Sequence, residues 1–456
     1  MAVKNNNEYS AITPEVQRLA DICAARTIPV ELYDKFQVNR GLRDLNGNGV
    51  LAGLTSISQV KAKEIVNGVE VPAHGKLYYQ GYDVEQLVAG FLHENRFGFE
   101  ETVYLLLFGD LPTPEQLTSF RATLGEMRTL PPKFARDTIM RAPSRDMMNA
   151  LSRAVLTLYY YDDNADDTSV PNVLRQCLRL IAQFPILAAY GYNTYLHYSQ
   201  DQSLIIHQPD PALSTAENLL YVLRPDQQYT ELEARVLDLA LVLHAEHGGG
   251  NNSAFTIHVV GSSGTDTYSA VAAALGSLKG PKHGGANNRV MAMMDDLKDH
   301  VSQWDDEDEV TAYLKKLLHK EAFDKAGLIY GIGHAIYSLS DPRAVIFERF
   351  VEKLSADKGR SEEYDLYSMI ARLAPQLISS ERKMYKGVSA NIDFYSGFVY
   401  DMMNLPRELY TPIFAIARIA GWSAHLIEEG VCGGRIIRPA YKSVSPLREY
   451  VPLEIR

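Results

Sequence analysis

The sequence predicts a mainly α protein with many packed helices and a short β-hairpin near the N-terminus. Three observations favour this fold class. Helical signals dominate from about residue 84 to the end of the chain, whereas strand and turn signals are confined to the part before it. No linker rich in Pro, Gly or Ser divides the sequence. No short repeat of solenoid period is visible.

The predicted β structure lies in two short segments. Residues 41–54 carry two Asn-Gly dipeptides, at Asn46 and Asn48, between apolar stretches. Asn-Gly is a strong hairpin signal because both central residues of such a turn need positive φ. Residues 75–83, with the sequence GKLYYQGYD, are typical of a further strand and turn.

The sequence contains signals for the N-terminus of a helix, for a buried helix face and for the C-terminus of a helix. Thr113 can cap a helix, Pro114 fits its first position, and Gln116 can close a capping box. An Ala-rich helix over residues 268–278 is expected to stop before a Gly-Pro dipeptide. Residues 231–247 predict one face of a helix, because apolar positions recur there at spacings of three and four. This face consists of Leu232, Val236, Leu239, Leu243 and His247.

Composition limits the classes of function. The chain has 456 residues and a formal net charge of −11, with 46% hydrophobic and 22% charged residues. This composition supplies enough apolar side chain for a large core, which excludes dominant disorder. The acidic balance argues against a nucleic-acid coat or a polybasic membrane binder, but it leaves room for a local basic pocket for an anionic small molecule. Two acidic runs, 162–167 and 305–309, are interpreted as solvated loops or helix starts.

Cysteine usage and the N-terminus indicate the compartment. Cys23, Cys177 and Cys432 form neither a disulfide framework nor a zinc-ribbon spacing, which predicts three buried thiols in a reducing compartment. The N-terminus has no apolar signal-peptide region, and no run reaches about 18 apolar residues. We therefore expect a cytoplasmic protein without a membrane span.

Three motifs suggest other functions, but each lacks a required part. Residues 44–49 match the start of a calcium loop, yet Thr55 stands at position 12, where a bidentate carboxylate is needed. The HGGG stretch that begins at His247 resembles the oxyanion hole of a lipase, but the chain has no G-x-S-x-G nucleophile elbow. His244 and His247 are three residues apart rather than four, and no third ligand can be assigned. No metal site is therefore predicted.

Four segments share an unusual density of glycine, histidine and other polar residues. Glycine lets backbone approach a ligand closely, and polar loops in an otherwise apolar helical protein point to a site. Arg343, Arg418 and Arg438 complete this pattern, since arginine is suited to a bidentate grip on a carboxylate. Three histidines, one aspartate and three arginines fit a small di-acid and proton-transfer chemistry. The segments are LHAEHGGGNNS (243–253), GPKHGGANN (280–288), GIGHAIYSLSDPRA (331–344) and NIDFYSG (391–397).

In this order the four segments resemble the citrate synthase family, over about residues 30–445. The patterns GPxHGGAN, G-x-G-H-x-I and N-x-D-x-x-S-G are together highly specific to that family, and GKLYYQGYD also looks like its N-terminal region. The resemblance implies a nearly all-α fold whose large domain comprises residues 1–284 and 397–456 and whose small domain, on the CoA side, comprises residues 285–396. It also implies a homodimer whose sites each take an arginine from the neighbouring subunit, and closure by rotation of the small domain. Assembly of such dimers into a hexamer stays open.

The resemblance implies an acyltransferase that condenses acetyl-CoA with oxaloacetate and hydrolyses citryl-CoA to citrate and CoA, a reaction of the tricarboxylic acid cycle. Asp393 matches the base that removes a methyl proton from acetyl-CoA, and His283 matches its partner on the thioester oxygen. His334 matches the residue that polarises the oxaloacetate carbonyl and protonates the new alkoxide. Acetyl-CoA is a substrate here, so no permanently bound cofactor and no metal are implied.

The contacts to oxaloacetate also follow from matched positions. His247 matches a ligand of this substrate, and Arg343 and Arg418 match clamps on its carboxylates. Arg438 matches the arginine donated across the dimer. The chemistry adds one expectation, since partial burial should raise the pKa of Asp393 towards that of an effective base.

One departure from the family concerns CoA. Ser338, four residues after His334, stands where the family often has Lys or Arg that helps to hold the CoA phosphates. Lys383 or Lys386 is proposed to supply that charge instead.

Two alternatives to citrate synthase stay open. A 2-methylcitrate synthase would use propionyl-CoA, and one methylene in an apolar pocket is worth only about 1–3 kcal/mol. A binding or assembly protein on the same fold would have lost the chemistry, and the presence of His283, His334 and Asp393 argues against it.

Overall fold

The computed structural model describes residues 10–44, 48–382 and 387–456. The chain forms two compact units, Met1–Gly53 and Leu54–Arg456. The second unit contains the sheet and the buried hydrophobic core. The predicted division into a large domain, residues 1–284 and 397–456, and a small domain, residues 285–396, stays a prediction.

The first unit is short, and none of its described residues, 10–44 and 48–53, is buried. Helix α1 spans Pro14–Ala24 and helix α2 spans Glu31–Lys35, and neither has a buried residue. The turn predicted at Asn46 lies outside the described residues. The flanking chain forms a single antiparallel bridge between Arg43 and Gly49, rather than two strands.

A three-stranded antiparallel sheet opens the second unit, in the order β1 (Ser58–Val66), β2 (Val69–Tyr79) and β3 (Tyr82–Asp83). Asn67 and Gly68 connect β1 to β2 with φ of 53° and 80°, the conformation that a tight hairpin turn needs. The predicted strand and turn of GKLYYQGYD are confirmed by β2 and β3. A hairpin near the N-terminus is present, but its turn is this later Asn-Gly dipeptide.

The regular secondary structure in the rest of the described chain is almost entirely helical. Thr113 and Gln116 form the predicted capping box, and the Ala-rich helix ends where the Gly-Pro dipeptide predicts. The α-helices are α3 (Val84–His93), α4 (Phe99–Phe108), α5 (Pro114–Glu126), α6 (Met147–Leu158), α7 (Val170–Gln200), α8 (Thr215–Leu223), α9 (Glu231–His244), α10 (Asn252–Gly261), α11 (Thr267–Lys279), α12 (Ala286–His300), α13 (Glu307–Leu318), α14 (Pro342–Asp357), α15 (Ser361–Arg382), α16 (Ile392–Met402) and α17 (Tyr410–Val431).

Helix α17 occupies the centre of the core. Every residue from Tyr410 to Leu426 is buried, and the helix packs against α4, α7, α9 and α10. A helix that is apolar on nearly all faces belongs in the interior, so a charged side chain on α17 such as Arg418 is unusual. Helices α12 to α16 pack largely on one another. No helix in the described part of the chain combines the length and hydropathy that a membrane span requires.

Three local predictions need correction. Helix α9 ends at His244, so His247 lies in the loop after it and does not continue the apolar face. Cys177 is buried in α7, but Cys23 and Cys432 are exposed because they lie on the uncovered α1 and just beyond α17.

The two acidic runs differ from each other. Asp306 caps α13, as expected of a helix start. Asp162, by contrast, is not a solvated loop residue, since it accepts hydrogen bonds from Arg175, Gln176 and Tyr268. These bonds lower the pKa of Asp162 to about 2.

Candidate active site

One asparagine joins the loop that carries His334 to the first turn of α16, which carries Asp393. The backbone N–H of Asn391 donates to the carbonyl of Gly331 at 2.9 Å, and its side-chain amide donates to the carbonyl of Gly333 at 2.8 Å. Its side-chain oxygen accepts the backbone N–H of Asp393 at 2.9 Å and caps α16. The loop before α14 and the first turn of α16 are therefore pinned to each other.

His247 lies in the loop between α9 and α10, and the sheet contacts this loop. The hydroxyl of Tyr79 on β2 is 3.2 Å from the carbonyl oxygen of Glu246 in the loop and 3.0 Å from that of Val242 at the end of α9. The backbone N–H of Gly248 donates to Glu246 Oε1 at 2.6 Å. Burial lowers the pKa of His247 well below its usual value, so the ring is neutral. Its Nε2 is buried and has no hydrogen-bond partner in the structure, which leaves it available to a ligand.

His334 faces His247, with ring centroids 5.1 Å apart. Its Nδ1 accepts the backbone N–H groups of Ile336 and Tyr337, each at 3.1 Å. A nitrogen that accepts hydrogen bonds carries no proton, so the proton of the neutral ring is on Nε2. His334 is thereby oriented as a hydrogen-bond donor through Nε2.

His283 lies in the turn between α11 and α12, with its Nε2 3.0 Å from the Ser253 hydroxyl. The indole N–H of Trp422 donates to the same hydroxyl oxygen at 3.1 Å, so the hydroxyl proton must point elsewhere. Two acceptors lie within reach of that proton, Asn251 Oδ1 at 2.9 Å and His283 Nε2. Where the hydroxyl donates to His283, the ring carries its own proton on Nδ1 and can donate to a ligand. Burial, together with the charge of Arg418, lowers the pKa of His283 to about 4, and the ring is neutral at pH 7.

Asp393 stands in the first turn of α16, and its carboxylate accepts no hydrogen bond from the described residues. Burial raises its pKa to about 6, and the charge of Asp341 adds to this, against the opposing charges of Arg343 and Arg418. The direction is the one expected from the sequence. A carboxylate with this pKa is mostly ionised at pH 7 and is a stronger base than an exposed aspartate.

Arg418 carries an incompletely paired charge inside the core. Its Nε donates to the carbonyl of His244 at 2.7 Å, and its guanidinium lies 4.7 Å from the ring centroid of Phe414. Both Nη1 and Nη2 are buried and have no hydrogen-bond partner among the described residues. Burial lowers its pKa to about 10, which still leaves it cationic at pH 7. Two unpartnered donors on one planar fork match the two oxygens of a carboxylate.

Arg343 is already paired within the protein. Its Nε and Nη2 donate to the two carboxylate oxygens of Asp341, at 3.0 and 2.7 Å. Asp341 caps α14, and both side chains are buried. The carboxylate of Asp341 raises the pKa of Arg343, so this guanidinium is a fixed positive charge.

This arrangement combines neutral histidine donors, buried guanidinium groups and one weakly basic carboxylate. Such a set can hold a small anion with two carboxylates while a proton is removed beside it.

Comparison with known proteins indicates a family that carries out chemistry of this kind. The family model of the citrate synthase C-terminal domain matches residues 44–440. The citrate synthase of Haloferax volcanii is 36% identical over 371 residues, 80% of this chain and 88% of that relative.

The chain belongs to the citrate synthase family. It is thus an enzyme of the citrate synthase type, a transferase, and the resemblance read from the sequence is confirmed. A 2-methylcitrate synthase of Shewanella oneidensis is 34% identical over 89% of this chain and 98% of that relative.

Solved structures of the family confirm the fold class. The citrate synthase of Pyrobaculum aerophilum superposes with a TM-score of 0.70 at 30% identity, over 90% of this chain and 94% of that one. That of Thermoplasma acidophilum, a ternary complex with carboxymethyl coenzyme A and oxaloacetate, gives 0.73 at 26% identity, over 91% and 99%. The mainly α citrate synthase fold predicted from the sequence is therefore the fold observed.

The remaining predicted residues are not part of this cluster in the described chain. Arg438 is exposed in the irregular segment after α17 and forms no hydrogen bond or ion pair with another described residue. Lys383 and Lys386 lie outside the described residues. Ser338 is partly buried in the loop before α14.

Sequence reasoning missed the residues that orient the cluster. Ser253 and Glu246 lie within the first polar segment, but their types gave no sign that they bind His283 and the His247 loop. Asp341 precedes Arg343 by two residues in an Asp-Pro-Arg sequence, which is a readable signal for a helix cap that also pairs with the arginine. Tyr79 was read only as part of a strand.

Proposed function

We propose that this chain is a citrate synthase, which condenses acetyl-CoA with oxaloacetate and hydrolyses citryl-CoA to citrate and CoA. The observation that carries this proposal is Arg418, a fully buried guanidinium with two unpartnered donors, near the unpartnered Nε2 of His247. Leaving such groups unpaired is costly, so they indicate a site made for a buried anionic ligand.

Oxaloacetate supplies the missing partners. One of its carboxylates accepts from the two free nitrogens of Arg418, and His247 Nε2 donates to a second oxygen. Arg343 adds positive charge beside the site. His334 Nε2 donates to the keto oxygen, which polarises the carbonyl for attack.

Acetyl-CoA is activated by Asp393 and His283 acting together. Asp393 removes a proton from the methyl group, while His283 donates a hydrogen bond to the thioester oxygen as negative charge develops there. The neutral state of His283 suits this role, because its hydrogen bond then stabilises an enol or enolate without a full proton transfer. The methyl carbon attacks the keto carbon of oxaloacetate, and His334 gives its proton to the new alkoxide. Water then cleaves the thioester of citryl-CoA and releases CoA and citrate.

The alternative within the family is 2-methylcitrate synthase, which is the name of one relative described above. The deciding experiment measures free-thiol release from acetyl-CoA and from propionyl-CoA with oxaloacetate, without added metal. A clear preference for acetyl-CoA supports the proposal. A preference for propionyl-CoA would change the proposed substrate to propionyl-CoA and leave the proposed catalytic roles unchanged. Activity with neither thioester would contradict both the proposed substrate and the proposed roles.

We expect an acid limb in the pH profile of the condensation. Because Asp393 acts as an ionised base and its pKa is about 6, kcat/KM for acetyl-CoA should fall about tenfold for each unit below about pH 6. Activity is therefore retained above this pKa and lost as the pH falls through it. His283, with a pKa of about 4, adds no limb in this range. Unfolding midpoints at each pH provide the control, and a flat profile between about pH 5 and 7 would contradict the assignment of Asp393.

A homodimer that exchanges Arg438 is part of the proposal. The segment after α17 has no partner within the described chain for several apolar side chains, including Tyr441 and Leu447, which are 96% and 102% exposed. Such a segment suits an arm that lies on a second subunit.

Heterodimers test this exchange. Arg438→Ala and His283→Ala homodimers should each be inactive, whereas mixed dimers should regain about half of wild-type activity, since one site per dimer has both residues intact. Activity is measured on differently tagged, purified heterodimers, with each variant alone as control. Verified heterodimers without any recovery would exclude a donated Arg438.

Contacts between CoA phosphates and Lys383 or Lys386 stay a prediction, as do the cytoplasmic location and the absence of a permanently bound cofactor.

A further inference from the structure

A second cluster of titratable side chains lies outside the catalytic residues, between α10 and α17. His258, His425 and Glu428 each present one atom to a common point, and these atoms all lie within 4.8 Å of one another. His258 Nε2 is 3.1 Å from His425 Nδ1, and His425 Nδ1 is 3.9 Å from Glu428 Oε2. The reaction proposed above uses none of the three.

The outer nitrogens of both rings are fixed by carboxylates. His258 Nδ1 is 2.9 Å from Glu429 Oε2, and His425 Nε2 is 3.1 Å from Glu246 Oε1. A carboxylate only accepts hydrogen bonds, so each of these nitrogens carries the proton. The two inner nitrogens, His258 Nε2 and His425 Nδ1, then face each other with unshared electron pairs. Two unshared pairs 3.1 Å apart repel, so a positive charge must lie between them, either a shared proton or a metal ion.

The surroundings match those of a protein metal site. Histidine ligands usually donate their other N–H to a carboxylate, which is the arrangement of His258 with Glu429 and of His425 with Glu246. In a tetrahedral zinc site two ligand nitrogens are about 3.3 Å apart, close to the spacing here.

Glu428 supplies a third ligand atom that is otherwise unexplained. Its Oε1 is held by the backbone N–H and the hydroxyl of Ser56, at 2.7 and 2.8 Å. This fixes the carboxylate, while Oε2 is buried and no described residue forms a hydrogen bond with it. An ion at the cluster would satisfy that oxygen.

We propose that His258, His425 and Glu428 bind one divalent metal ion of the zinc class, with water in the remaining position. This departs from the sequence-based prediction of no metal site. The ion would tie α10 to α17 and to the chain at Ser56. It would also lie one hydrogen bond from Glu246, which holds the His247 loop.

The test uses the full-length protein after treatment with a chelator. Calorimetric titration with Zn²⁺ should give one ion per chain, and Co²⁺ should give the visible absorption of a four-coordinate ion. Zn²⁺ should also raise the unfolding midpoint, since it binds the folded state. Glu428→Gln and His258→Gln should each lower the affinity at least about tenfold.

The variants are chosen so that a loss of Zn²⁺ binding is not caused by misfolding. Glu428→Gln removes an oxygen that makes no hydrogen bond, so it should not impair folding. His319→Gln is the matched control, because His319 also contacts a carboxylate, Glu381, but lies outside the cluster. Wild-type protein that binds no Zn²⁺, or Glu428→Gln and His258→Gln that bind it as well as wild type, would mean that the histidine pair holds only a proton.

Discussion

Replacement of Asp393 by Asn should lower kcat for citrate formation by about 10² to 10⁴, the usual contribution of a positioned general base. The amide keeps the size of the side chain but cannot take a proton from the methyl group of acetyl-CoA. KM for oxaloacetate should change little, because the proposed role of Asp393 is on the other substrate, acetyl-CoA. Initial rates of thiol release at saturating oxaloacetate measure the effect.

In this variant an effect on catalysis can be separated from an effect on folding. The carboxylate of Asp393 accepts no hydrogen bond from the described residues, so the substitution removes no contact that stabilises the fold. The amide also removes a charge from a poorly solvated position, so the unfolding midpoint should be unchanged or higher. Asp401→Asn, at the other end of α16, is the matched control and should keep wild-type kcat. If Asp393→Asn turned over like wild type, the base would have to be another group.

Replacement of Arg418 by Met should have opposite effects on binding and on stability. Oxaloacetate loses a charge-assisted bidentate contact worth about 2–4 kcal/mol, so its KM should rise about 30- to 1,000-fold. In the free protein, however, the substitution removes a buried charge with two unpartnered donors. The free energy of unfolding should therefore rise, although the bond to the His244 carbonyl is lost.

A second arginine serves as the control that distinguishes the loss of the Arg418 contact from the general effect of removing a buried positive charge. Arg224 is paired, since it donates to Glu233 at 2.8 Å and to the carbonyl of Met403 at 2.8 Å. Arg224→Met should lower the unfolding midpoint and leave KM for oxaloacetate near wild type. Thermal unfolding with and without oxaloacetate distinguishes a binding role from a structural role. The ligand should raise the unfolding midpoint of wild type and of Arg224→Met, but not that of Arg418→Met. A loss of stability in Arg418→Met with KM unchanged would show that Arg418 is structural.

The sequence was most informative where a local rule determines the structure. The capping box at Thr113 and the Ala-rich helix depend on a few neighbouring residues, and both are observed. The same rule applied to Asn67 and Gly68 would have located the main hairpin. His247 was misplaced at the end of α9 because its spacing fits the apolar face, although the helix ends three residues earlier.

The orientation of the site depends on contacts between distant parts of the chain. Ser253 and Trp422 are 169 residues apart in sequence, and their hydrogen bond helps to hold the hydroxyl that contacts His283 Nε2. Glu246 is fixed by His425, 179 residues away. No local pattern records such pairings. An arginine that acts in a neighbouring subunit, as is proposed for Arg438, cannot be located from one chain at all.

The hydrogen bonds of Asn391 have a consequence for motion in the site. They join the backbone around His334 to that around Asp393, so the two residues are carried on a single body. Ser253 in turn links His283 to Trp422, which lies on the same helix as Arg418. In the small-domain rotation that the family resemblance implies, the distance from Arg418 to Asp393 would change while the spacing of His334 and Asp393 stayed constant. The proposed acid and base would then keep their mutual alignment whether the site is open or closed.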